Sequence, residues 1–312
     1  SCFLVPRWLP DGTRNTFRIQ RLKDKLGNRS NASSEIEYFE TWARMVGEEG
    51  RGVPTIIEMV NHTRLDCVMG SAALIRHSFA QAAHHAAHRS AFGRRLLEQP
   101  LMQNVLADLA IESEAATQLM MRLARTYDEA ARDGSRRAFA RIATAVSKYW
   151  VCKRTPGHVS EALECHGGAG YVEESVLPRL YREAPLNSIW EGSGNVMCLD
   201  VLRAMRREPE SLDAFLAELD ETSGADPRLD RHVAGVKQAL SDPQNAEYRA
   251  RRVVEQMALA LQASILVQTA ETAVVDAFIA SRLAGEHGHV YGTLPAGTPF
   301  GEIIEHSRPK VG

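Results

Sequence analysis

Apolar residues recur three and four positions apart from Val53 onward: Val53, Ile56, Ile57 and Val60, then Leu65, Val68, Met69 and Ala72. That period predicts a long helix with one buried face. Similar stretches cover residues 101–132 and 135–154, with Gly134 between them as a helix stop, and a further helix is expected over residues 195–206. Together they predict a bundle of antiparallel helices. The first 50 residues follow a different rule: Phe3-Leu4-Val5, Thr16-Phe17-Arg18-Ile19 and Ile36-Glu37-Tyr38-Phe39 are short strand-like runs separated by Pro-Asp-Gly and Gly-Asn-Arg-Ser-Asn turns. They predict part of an antiparallel sheet, too small to stand alone. Past Glu208, Pro209-Glu210-Ser211 and the polar residues 221–226 mark a boundary, followed by more helical sequence and a Gly/Pro-rich tail. The most apolar long stretch, residues 257–280, is interrupted by Gln262, Gln268, Glu271 and Asp276; it is too polar for a bilayer span and predicts a buried helix. The expected organisation is mainly α: a partial β-domain over residues 1–50, a helical bundle over 51–207 and a helical extension over 208–312.

Composition narrows the class without naming a chemistry. With 44% hydrophobic and 24% charged residues, the 312-residue chain is globular rather than collagen-like, low-complexity or disordered. Lys+Arg at 37 against Asp+Glu at 39 gives a net charge of −2, so no global positive field announces a nucleic acid or a membrane. The charge is unevenly divided, however: residues 208–312 hold 16 acidic and 9 basic residues, leaving 28 basic against 23 acidic in residues 1–207. The five cysteines are odd in number and far apart, which argues against a disulfide framework or a CxxC metal site and predicts a reducing cytoplasm. Ser1 and the residues after it lack the order of a signal peptide and read as an internal start.

The segment from Arg182 to Asn195, REAPLNSIWEGSGN, is the most informative in the chain. A carboxylate, Glu191, stands between an aromatic residue and a Gly-Ser-Gly turn that opens a helix. Ile189 and Trp190 can desolvate it, the turn admits close approach to the backbone, and the helix start offers N–H groups to an anion. Those are the properties of a general base beside a cofactor. The alternative reading of the same residues is that Glu191 caps the next helix and the glycines turn the chain.

The run Glu164-Cys165-His166-Gly167-Gly168-Ala169-Gly170-Tyr171, followed by Arg182-Glu183-Ala184 and Ile189-Trp190-Glu191-Gly192-Ser193, resembles the C-terminal domain of acyl-CoA dehydrogenases. Their GGxG(F/Y), R-(D/E)-A and I-(Y/W)-E-G-(T/S) elements stand in this order, and Arg89-Ser90-Ala91-Phe92-Gly93 looks like their RxxFG element. From Trp190 to Arg203, WEGSGNVMCLDVLR is most similar to the AidB-type branch, associated with the adaptive response to alkylation. The resemblance implies an FAD-dependent enzyme in which Glu191 is the base that removes the α-proton of an acyl-CoA thioester while the β-hydride goes to the flavin. It implies Arg89 and Phe92 as contacts to the FAD of a neighbouring subunit, with Arg89 on the pyrophosphate. Glu164, Gly167 and Gly168 then face the cofactor, and Ser193 and Asn195 contact it after the base. FAD sites completed between subunits imply a homotetramer.

Two positions depart from the family pattern: Glu164 replaces a usual Gln, and Ala91 a common hydroxyl residue. The family's alternative position for the base falls within Asn61-His62-Thr63-Arg64, where no Glu stands. The family's N-terminal helical domain and the first half of its β-domain would precede Ser1. The AidB-type resemblance also implies double-stranded DNA as a partner, held by basic C-terminal surface. Arg203, Arg206 and Arg207 follow the candidate base, and Arg282 is a further candidate in the acidic extension. A DNA-binding protective role with a mainly structural flavin site is therefore the second functional expectation. His84 and His88 stand four apart on one helix face, but without an HExxH glutamate or a third ligand they predict no metal site. Arg122, Arg125, Arg132, Arg136, Arg137, Arg141, Lys148, Lys153 and Arg154 read as a solvated basic face.

Overall fold

The computed structural model describes residues 1–242 and 244–309. They form two compact units, Ser1–Thr63 and Arg64–Gly312. In the first unit, β1 (Cys2–Leu4), β2 (Phe17–Leu22), β3 (Ser34–Tyr38) and β4 (Arg44–Val46) make two separate antiparallel pairs, β1 with β4 and β2 with β3. The strand β4 has no counterpart among the sequence expectations. Phe3, Leu4, Ile19, Leu22, Ile36 and Tyr38 remain exposed, so these ladders enclose no apolar core of their own. What ties their connections together is Asn15, whose buried amide donates to the carbonyls of Pro6 and Trp42 and accepts from the Trp42 N–H.

The helix α1 spans Gly52–His88. It ends at a two-residue hairpin between β5 (Ser90–Ala91) and β6 (Arg94–Arg95), and α2 (Pro100–Ala130) and α3 (Gly134–Glu164) follow. Gly134 is the first residue of α3 rather than a stop, because Asp133 caps that end by accepting from the N–H groups of Ser135 and Arg136. The helix α3 also runs ten residues past its expected end, through Pro156. Proline disfavours a helix interior, but Val151, Cys152, Thr155, His158 and Val159 around it are all buried, and packing overrides the local preference. Short α4 (Gly168–Tyr171) and α5 (Leu177–Glu183) lead to α6 (Gly194–Arg207).

The extension contains α7 (Pro209–Asp220), α8 (Pro227–Ser241), α9 (Ala246–Thr269), α10 (Thr272–Phe278), a π-turn over Ile279–Leu283 and α11 (Phe300–Ser307). The apolar stretch at 257–280 is thus buried as expected, but as two helices broken at Ala270 and Glu271, whose backbones are extended. Phe215, Leu229, Met257, Leu261 and Ile303 join Leu106, Leu109, Ile142 and Val146 in one continuous core, so the bundle and the extension share an interior. Among the described residues, no helix is long and apolar enough to cross a membrane.

Buried charge reinforces that shared interior. Asp108 and Glu112 of α2 both accept from Arg282 in the π-turn, and Glu112 also pairs with Arg154 of α3 at 2.8 Å. Arg154 donates to the Tyr291 hydroxyl at 2.9 Å, and Asp108 accepts from the Gly292 N–H at 2.9 Å. Burial acts to raise the Glu112 pKa, but Arg154 and Arg282 beside it prevail and bring it down to about 2. One consequence is a correction: Arg282, expected on a DNA-facing surface, has a side chain only 7% exposed and is committed to two carboxylates, so it is removed from the DNA candidates.

Nearby His158 is fully buried; its Nε2 donates to the Leu109 carbonyl at 3.1 Å and its Nδ1 lies 3.1 Å from the Ser78 hydroxyl. Burial pushes its pKa down from 6.5 to about 4. Between those values the unfolded chain binds a proton that the folded chain refuses, so stability present above pH 6.5 is lost as pH falls toward 4. The loss expected from this one group is about 3 kcal/mol. Urea titrations of wild type and His158→Gln at pH 7, 5 and 4 should show a shallower pH dependence in the variant, and parallel losses in the two proteins would refute the assignment.

Candidate active site

The loop before α6 is built around two cations, Arg64 and Lys148, whose contacts to it no local pattern announces. Glu191 has a left-handed backbone, φ 57°, and Gly192 follows at φ 105°. The first conformation is uncommon for a residue with a side chain and costs on the order of 1–3 kcal/mol, so surrounding contacts must impose it. At Gly192 the backbone angle calls for glycine, and a Cβ there would also stand 2.5 Å from the Met197 Cε and displace that methyl. Arg64 on α1 donates from Nε to the Glu191 carbonyl at 3.1 Å and from a terminal nitrogen to Asp200 at 2.8 Å. Lys148 on α3 donates to the Asn187 carbonyl at 3.0 Å and to the Gly192 carbonyl at 2.8 Å. Asn187 is held in turn, donating to Ser71 and accepting from the Trp190 indole N–H at 2.9 Å.

Asp200 is shared: Arg141 donates to both its oxygens at 3.2 Å and to Glu208 at 2.9 Å. The loop therefore rests on an ion-pair network linking α1, α3 and α6. The expected solvated basic face holds for Arg125, Arg132, Arg137 and Lys153, which are exposed, and is corrected for the others. Lys148 is 1% exposed, Arg122 and Arg136 converge on Glu218, and Arg154 serves Glu112. A signal for Lys148 was present in the sequence, since it interrupts the run Ala145-Val146-Ser147-Lys148-Tyr149-Trp150-Val151.

The Glu191 carboxylate itself is half-buried and has no hydrogen-bond partner among the described residues. Ile189 is 64% exposed and Trp190 39%, so within this chain neither encloses it as expected. Ser193 stands at the N-cap of α6 but its hydroxyl makes no capping bond, and Asn195 beside it is exposed. The first turn of α6 is left with N–H groups that no side chain caps.

The other sequence-derived positions lie elsewhere. Gly167, at φ 58°, and Gly168 form the turn from α3 into α4; a Cβ on either would meet nothing within 4 Å, and Glu164 just before them is exposed. His85 of α1 stacks on His166 at 4.5 Å between ring centroids, which brings that turn beside the end of α1, where Arg89 and the hairpin follow. Arg89 is exposed, and its guanidinium makes no ion pair among the described residues. Phe92 and Gly93 form the hairpin tip, at φ 52° and 81°, as a type I′ turn needs, and Phe92 is 97% exposed.

These positions form two groups rather than one. Arg64 touches the Glu191 loop and His85 touches the glycine turn, and the 21 helical residues from one to the other on α1 span about 32 Å. The chemistry of the donors fits a long, anionic, partly aromatic ligand: an unpaired guanidinium, an exposed ring, an open glycine turn and uncapped helix N–H groups. A single copy holds the two ends of such a site far apart.

The family model for the acyl-CoA dehydrogenase C-terminal domain matches residues 50–206. The chain is 48% identical over 83% of its length to the putative acyl-CoA dehydrogenase AidB of Escherichia coli, covering 47% of that protein. It belongs to the acyl-CoA dehydrogenase family. It is also 32% identical over 78% of its length to acyl-CoA dehydrogenase family member 11 of Caenorhabditis elegans, covering 41% of that protein. The chain thus spans less than half the length of these relatives. Among solved structures, Caenorhabditis elegans ACDH-11 in complex with C11-CoA superposes with a TM-score of 0.82 at 26% identity, over 90% of this chain and 52% of that one. An acyl-CoA dehydrogenase complexed with FAD from Bacillus anthracis, at 18% identity and a TM-score of 0.67 over 86% of this chain and 55% of that one, shares the fold. Within this family the chain is mainly α, the C-terminal helical domain with a helical extension.

Proposed function

We propose that this chain is the base-bearing C-terminal part of an acyl-CoA dehydrogenase of AidB type, with Glu191 as the base. The observation that carries this reading is a carboxylate without a hydrogen-bond partner among the described residues, set on a left-handed backbone in a loop whose carbonyls are tied by Arg64 and Lys148. A free carboxylate on a fixed support is what removing the weakly acidic α-proton of an acyl thioester requires. Glu191 takes that proton, and the uncapped start of α6, with Ser193 and Asn195, offers N–H and hydroxyl groups to the ligand beside it. When bound, FAD supplies the hydride acceptor that no side chain can provide. Arg89 would hold its pyrophosphate, Phe92 would pack on it, Gly167 and Gly168 would lie against its adenosine half, and Glu164 would face it. Because the two groups stand about 32 Å apart on one chain, each site combines the Glu191 end of one copy with the Arg89 end of another, which favours the homotetramer. The test is the visible spectrum of the complete polypeptide loaded with FAD, before and after anaerobic addition of an acyl-CoA. The flavin band should bleach; a band that persists with a range of acyl-CoA lengths refutes dehydrogenation.

A second activity rests on a separate observation. Arg203, Arg206 and Arg207 on α6 are exposed and make no ion pair among the described residues, so their charges are available to phosphates. They support double-stranded DNA as a partner alongside the flavin site. Replacing Arg203 and Arg206 together by alanine should reduce the slope of log affinity against log salt by about 2, with flavin reduction unchanged. An unaltered slope excludes this patch.

A further inference from the structure

Glu191 needs an aimed carboxylate, yet no hydrogen bond aims it. Its oxygens have no hydrogen-bond partner among the described residues, so the backbone from which the side chain projects carries much of its direction, with the Lys148 charge the cation that acts on it. That backbone is in a left-handed conformation, and the segment around it turns three carbonyls onto two cations: Glu191 onto Arg64, and Asn187 and Gly192 onto Lys148. Lys148 is the only buried lysine among the described residues, at 1% exposure. Its Nζ partners are carbonyl oxygens rather than a carboxylate, and burial pulls its pKa down. An ammonium in such a place is costly, and a methionine of similar length would fill the same space without that cost. What methionine lacks is the pair of N–H bonds that spans the loop from Asn187 to Gly192.

We propose that Lys148 is a positioning residue for Glu191: by bridging the carbonyls of Asn187 and Gly192, on either side of the carboxylate, it locks the left-handed turn from which Glu191 projects. The inference deepens the reading of Glu191 as the base and rests on it. Lys148 acts through the backbone of residues 187–192, and its charge also attracts the Glu191 carboxylate.

The experiment uses the complete polypeptide and two readouts. The first is amide hydrogen exchange in the FAD-free protein. Lys148→Met should accelerate exchange in peptides covering residues 187–194 at least tenfold, with α2 and α9 unchanged. The second is turnover of the FAD-loaded protein. Because a displacement of about 1 Å in a reacting group costs roughly a hundredfold, kcat should fall by about that factor while KM for the acyl thioester stays within threefold. Lys148→Arg, which keeps two donors, should recover at least a tenth of the wild-type kcat. Should Lys148→Met fail to fold, Lys148→Gln reads the same quantities, since its shorter uncharged amide keeps a buried donor without spanning both carbonyls. Wild-type exchange at 187–194 together with kcat within threefold overturns the proposal. So does a variant in which exchange rises equally across α2, α9 and the loop, because that outcome marks a general packing role. If wild type itself shows no turnover that depends on Glu191, the functional reading fails, while the exchange readout still decides whether Lys148 holds the loop.

Discussion

Glu191→Gln is expected to lower the dehydrogenation rate by at least about a thousandfold while leaving FAD and acyl-CoA bound, within the range that positioned bases contribute. Glutamine keeps the volume of the side chain and removes only its capacity to accept a proton near neutral pH. The support is untouched, since Arg64 and Lys148 bind main-chain carbonyls of the loop rather than the carboxylate. The substitution therefore separates chemistry from architecture more cleanly than a change at Arg64, which would also disturb Asp200. Anaerobic stopped-flow measurement of flavin bleaching gives the answer directly. A variant that bleaches within tenfold of wild type would place the base elsewhere, and the loop would then be a helix-capping turn.

The second large effect lies far from that loop. Arg282→Met should destabilise the helical unit by roughly 3 kcal/mol, because it leaves Asp108 with only the Gly292 N–H as an identified partner and removes one of the two arginines on Glu112. For a unit of this size that is a fall in Tm of about 6–12 °C. The cost arises from stranding a buried charge rather than from losing an attraction, so Asp108→Asn combined with Arg282→Met should recover part of it. Thermal melts of the three proteins check both statements. A single variant within 1 kcal/mol of wild type, or a double variant no better than the single, would mean that water reaches the pair and screens it.

The network also explains why an arginine in the extension reads as a surface residue in sequence and proves to be interior. Asp108 and Glu112 precede Arg282 by 174 and 170 residues, and no local pattern announces such a meeting. The same holds for Arg64 with Asp200, 136 residues apart. Taken singly, a charged residue belongs in solvent because it is too costly to bury. Only an opposite charge brought close by the fold reverses that balance.

What the sequence by itself determined is what repeats locally. The period of its apolar residues specified the long helices of the bundle, and turn residues separated them from the strands at the start. The order GGAGY, REA, IWEGS identified the family and, by resemblance, the candidate base. Helix ends were less legible where packing outweighed propensity, as in α3 running through Pro156 and in the break at Ala270 within a stretch that reads as one helix. Tertiary structure alone decided which cations are interior, that Lys148 and Arg64 grip the loop of Glu191, that Arg282 is unavailable to DNA, and that the two candidate cofactor regions meet one helix 21 residues apart, at Arg64 and at His85. The physical reason is range: a helical period is set by neighbours three and four residues away, whereas the protonation, burial and partners of a charged group are set by whatever the fold brings within a few ångströms of it.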